Sequence, residues 1–162
     1  TAIPYSFVYK YDADGYPIEV IRNYMSYPSG DFTIATKTVF VSLIGLGNSK
    51  RLRLRDSDGN DGDNDITTHV DVNDFVLWVV DSNPPNGARP IHSIEKVYKK
   101  PGNDPNNVSL MTADPARQND GSWKGTVVST SPGSGKQQKY NIDFKRTAGD
   151  DTLTCDPKLQ MN

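Results

Sequence analysis

At 162 residues with 35% apolar content, the chain is long enough to bury one sizeable core, and its net charge of −2 excludes a nucleic-acid partner of the usual basic-surface kind. No window approaches the roughly 20 apolar residues that a membrane-spanning helix needs. Of its 20 acidic residues only Glu19 and Glu95 are glutamates, and aspartate favours turns and caps over helix interiors, so helix should be scarce.

The first hydrophobic pattern is an alternation of Tyr5, Phe7, Tyr9 and Tyr11 with Ser6, Val8 and Lys10. It leads through a turn at 12–15 into 17–21, which reads as a β-hairpin. Residues 38–46 are rich in β-branched side chains and too short and unpatterned for an amphipathic helix. At 51–55 arginine and leucine alternate strictly, which predicts a half-buried strand with Leu52 and Leu54 inward and Arg51, Arg53 and Arg55 outward. The segment 66–72 reads as a further strand. The continuous apolar run 75–80 should be the most central one. A Pro/Asn loop at 81–87 precedes a strand at 91–98. The stretch 111–121 reads as irregular, with at most one helical turn around Asp114, Pro115, Ala116 and Arg117. Strands are expected at 123–129, 139–146 and 152–155, with Tyr140, Ile142 and Phe144 inward. The segment Pro132, Gly133, Ser134, Gly135 reads as a flexible hairpin connection, because too few residues follow it for a second core. The sum is a single all-β domain over 1–162: an antiparallel β-sandwich of about nine or ten short strands, with a closed barrel as the alternative.

The strongest chemical signal is the run 56–65. Its five carboxylates, amides and two glycines are the oxygen-donor set of a hard cation, which makes Ca²⁺ the cofactor to test first and Asp56, Asp58, Asn60, Asp61, Asp63 and Asp65 the candidate ligands. The spacing is not that of an EF-hand, since Asp61 and Thr67 stand where Gly and Glu are required. The competing reading is a solvated turn whose repulsion is relieved by the arginines upstream. Those arginines could alternatively grip phosphate or a sulfated sugar. The turn at 12–15 opens with the same Asp-x-Asp-Gly but is fully explained as a hairpin tip. The sequon Asn107-Val108-Ser109 reads as a polar loop.

No catalytic motif stands out. His69 and His92 sit in strand patterns away from any nucleophile elbow, and Gln137 and Thr130 break the resemblance of 131–137 to a phosphate loop.

Residues 72–78 (Val-Asn-Asp-Phe-Val-Leu-Trp), followed after a Pro-rich loop by Ile91-His92-Ser93-Ile94, resemble the strand pair of cupredoxin-like sandwiches, in which an Asp precedes an apolar strand ending in Trp and a His opens the next strand. The resemblance implies a cupredoxin-like or immunoglobulin-like Greek key. It does not carry the copper over, because Cys155 is followed by no histidine.

The expected function is a non-catalytic, extracytoplasmic binding or assembly module. The single cysteine excludes an intramolecular disulfide and leaves export allowed, and a start at Thr1 fits a mature secreted form or a trimmed chain alike. As a calcium-dependent, lectin-like glycan binder it would use Trp123, Tyr24, Tyr27 and the acidic loop. As a structural subunit of a homo-oligomer or filament it would pair edges and tails with copies of itself, Leu159 and Met161 either folding back or reaching a neighbour. A hydrolase is the remote alternative.

Overall fold

Alternation rather than helical spacing governs this chain, and the computed structural model describes Ser6–Tyr11, Pro17–Asn23 and residues 34–162 without a helix. The chain divides into two compact units, Thr1–Thr33 and Ile34–Asn162. In the first, β1 (Ser6–Tyr11) pairs antiparallel with β2 (Pro17–Asn23), with a register shift between Lys10 and Tyr11, which is the expected hairpin. Its turn at 12–15, and Tyr24 and Tyr27, lie outside the described residues.

The second unit is a sandwich of two sheets. The larger contains β3 (Thr36–Ile44), β4 (Arg51–Asp56), β5 (Asp61–Asp63), β7 (Phe75–Val80), β8 (Ala88–Pro90), β10 (Ala116–Arg117) and β11 (Trp123–Thr126), in the order β10-β11-β7-β3-β4-β5 with β8 also on β3. The smaller contains β6 (Thr67–Val70), β9 (Ser93–Lys99), β12 (Gln137–Lys145), β13 (Leu153–Cys155) and β14 (Lys158–Met161). Most neighbours are antiparallel. Two pairs are parallel, β3 with β7 and β14 with β6, so the sheets are mixed rather than purely antiparallel.

Local alternation translates directly into burial. Leu52 and Leu54 are fully buried while the arginines between them face out, and Tyr140, Ile142 and Phe144 are buried while Asn141, Asp143 and Lys145 are not. The run Phe75–Val80 lies inside the larger sheet, yet it alternates as well: Val76 and Trp78 are buried, and Phe75 is half-buried under Lys124, 4.2 Å above its ring. Trp78 closes the core by an edge-on contact with Tyr140 of the other sheet, and its Nε1 donates to the Tyr140 hydroxyl at 3.1 Å.

Two expectations are corrected. Within 111–121, read as irregular, Ala116–Arg117 pairs with Trp123 and Lys124 as an edge strand, because the Gln118–Gly121 turn (Gly121 N to Gln118 O, 3.1 Å) folds the segment back on itself. The segment 132–135 is no hairpin, since it carries the chain from β11 in one sheet to β12 in the other. Of the two courses open to Leu159 and Met161, folding back is the one taken, since both are buried in the unit's own smaller sheet. β13 and β14 both pair with β12 in one unbroken register across the buried Pro157, whose missing N–H is harmless there while its carbonyl still accepts from Tyr140 N at 3.1 Å.

Candidate functional site

Asp56, the first residue of the acidic run, is 6% exposed and behaves as a structural acceptor. Its Oδ1 takes the N–H groups of Asp58 and Asn60 at 3.0 and 2.9 Å, and its Oδ2 takes the Asn60 amide and the Thr68 hydroxyl, both at 2.8 Å. The Thr68 bond ties the larger sheet to β6 of the smaller one. Local geometry follows from the small residues. Gly59 has φ +90, and a Cβ on Gly62 would lie 2.5 Å from the Asp65 carbonyl oxygen, so the backbone can close only with glycine there. Asn64 adopts φ 57 and accepts from Leu52 N at 2.7 Å.

Every other carboxylate of the run faces a cation of the protein. Asp58 meets Lys37 at 2.8 Å, Asp61 meets Arg53 at 2.5 Å, Asp63 pairs with Arg51 and more loosely with Arg53 at 3.4 Å, and Asp65 meets Lys158 at 3.0 Å. The hydrogen bond it donates to Asp58 holds the Lys37 ammonium above its ordinary range. Among the described residues no three His, Cys, Asp or Glu side chains converge on a point that would hold a metal ion. A cation binding here would have to displace these lysines and arginines.

The outward arginines are committed in the same way. Arg51 and Arg53 serve the loop, while Arg55 turns to Asp81, giving Nη2 at 2.7 Å and Nε at 3.1 Å to a carboxylate that is itself buried. Trp123 is half-buried on the core and donates Nε1 to the Ile94 carbonyl at 3.0 Å, bridging β11 and β9. It is a strut between the sheets and not an open stacking surface. The sequon asparagine is also engaged, since Asn107 Nδ2 donates to Lys100 O and its Oδ1 accepts from Lys139 N.

A different place has the shape of a site. A cleft of about 470 Å³ opens where the sheets approach one another, floored by Val79 and Val80 at the end of β7. One wall carries His92 and Ser93 at the start of β9, and the other is the β10–β11 turn with Arg117, Asp120, Gly121 and Ser122. The Asp120 Oδ1 accepts from Ser122 Oγ at 2.6 Å and from Ser122 N at 2.9 Å, and these bonds hold its carboxyl below the ordinary range. Gly121, at φ +86, makes the turn that presents it. Neither Arg117 nor Asp120 was a candidate from the sequence. The Asn119-Asp120-Gly121 triplet was the available signal, as a hairpin turn between two short strands.

The chain matches none of the protein-family models with which it was compared, and no curated protein matches it.

Proposed function

We propose that Ile34–Asn162 is a non-catalytic glycan-binding module that works outside the cytoplasm and takes its ligand in the cleft between β7, β9 and the β10–β11 turn. The observation that carries this reading is the cleft itself. Its volume falls in the range of small-ligand sites, and it combines a short apolar floor with convergent polar groups of both signs, the composition that suits a sugar ring with hydroxyls at its rim. The lining supports a binding role over hydrolysis: Asp120 is the one carboxylate among the described residues that line the cleft, whereas a glycosidase of the usual kind works with a pair. Assembly through the C-terminal tail has lost its motive, because Leu159 and Met161 are buried in their own sheet. The large apolar side chains left exposed among the described residues are Ile34 and Leu46, which make no continuous patch in sequence or sheet.

A titration of ¹⁵N-labelled protein with methyl glycosides of neutral and acidic sugars tests the reading. Shifts concentrated on Val79, Val80, Ser93 and Ser122, with the glycoside recovered intact, are expected. Shifts centred on the acidic hairpin instead, or no shifts with any sugar, would remove the proposal.

A further inference from the structure

We propose that the ligand of this cleft is an acidic sugar, its carboxylate held by Arg117 and its hydroxyls by Asp120, an inference that rests on the cleft being the glycan site. Six arginines lie in 34–162, and five are tied down: Arg51 to Asp63, Arg53 to Asp61, Arg55 to Asp81, Arg89 to the carbonyls of Gly45 and Gly47, and Arg146 to Asp150. Among the described residues Arg117 is the arginine without such a partner, and it is the one that lines the cleft. A guanidinium presents a planar fork that matches a carboxylate in two parallel hydrogen bonds.

Asp120 is prepared differently. Ser122 is buried and donates to Oδ1 twice, from its N–H and its hydroxyl, which fixes the plane of the carboxylate, while no hydrogen bond reaches Oδ2 among the described residues. Arg117 and Asp120 line one cleft without forming an ion pair, so each keeps its hydrogen-bonding capacity for a ligand. A ligand matching both has an anion at one end and hydroxyl donors at the other. A bare phosphate would meet the Asp120 charge, and a neutral sugar would leave the guanidinium without its complement. Uronic and sialic acids carry both groups on one ring.

Calorimetry with methyl β-glucuronide, methyl α-sialoside and methyl β-glucoside on wild type and Arg117→Gln is the test, with amide shifts of Val80 and Ser122 reporting occupancy of the cleft. At least one acidic sugar should bind wild type about tenfold or more tightly than the glucoside, the ratio expected for one charge-assisted contact. Arg117→Gln, at a side chain that makes no bond among the described residues, should bring that ratio to about one, and Asp120→Asn should weaken both kinds of sugar while preserving it. Equal binding of acidic and neutral sugars in the cleft would overturn the acidic-ligand inference and leave the glycan-binding reading standing. Failure of all three to move Val80 and Ser122 would overturn both.

Discussion

Asp56 accepts four hydrogen bonds while buried, and a carboxylate so engaged is costly to remove because its donors are left without partners. Asp56→Ala is expected to destabilise the Ile34–Asn162 unit by about 2–4 kcal/mol in urea titration, against less than about 1 kcal/mol for Asp61→Ala, whose pairing is exposed. Equal effects would mean that Asp56 is not the anchor of the hairpin. The neighbouring carboxylates were legible as a mutually repelling cluster, and their relief by Arg51 and Arg53 was one of the readings open in the sequence. Lys37 and Lys158 were not, since they approach from strands far along the chain. Because those four cations already occupy the loop, millimolar calcium should leave the melting temperature unchanged. A specific ion at a hundredfold excess over its dissociation constant would instead add about 2.7 kcal/mol, which the same melt would register. Cys155 is a further single-residue test. Burial pushes its thiol up to about 12, so a thiol reagent at pH 8 should label it only as fast as the sheet opens, and rapid labelling of the native protein would contradict its place against Ile142.

At the scale of elements, the last strand separates what a one-dimensional pattern carries from what it does not. Arg51–Asp56 is an alternation that any half-buried strand must have, and inward and outward faces could be read off residue by residue. Pairing is different, because it joins distant segments: nothing local in Lys158–Met161 says that it lies between β12 and β6, antiparallel to one and parallel to the other. Pro157 does not end the ladder and is only a place where it lacks one donor. The cleft was hidden for the same reason, since its lining comes from residues near 80, 92 and 120 that meet only in the fold. With Leu159 at 0% and Met161 at 2% exposure, Leu159→Ala is expected to cost about 2–5 kcal/mol. Deleting 157–162 should remove cooperative unfolding of the unit altogether. A truncated protein that melts like wild type would place the tail outside the sheet.

For the whole molecule, hydrogen-bonded surface carboxylates at the acid end, and Lys37 with the buried Cys155 thiol at the alkaline end, give the stability profile its two slopes. Hydrogen bonds from Lys139 and from Ser122 keep the Asp104 and Asp120 carboxyls low, so their contribution is present above the ordinary carboxylate range near 4 and is lost as the pH falls through the lower folded values. On the alkaline side the raised Lys37 contributes fully below about 10.4 and is lost above it, and the Cys155 thiol adds a decline from its unfolded value near 8.5 up to about 12. Thermal melts should therefore be flat between about pH 5 and 8 and fall on both sides, whereas a maximum below pH 4 would contradict these pairings. No helix among the described residues is long and apolar enough to cross a membrane.

Glycan recognition at the junction of the sheets is tested most directly by a crystal structure of the protein soaked with a uronic-acid disaccharide. The expected density lies on Val79 and Val80, with the carboxylate on the Arg117 guanidinium and ring hydroxyls on Asp120. A well-ordered sugar bound elsewhere, or an open and unoccupied cleft at saturating ligand, would contradict it.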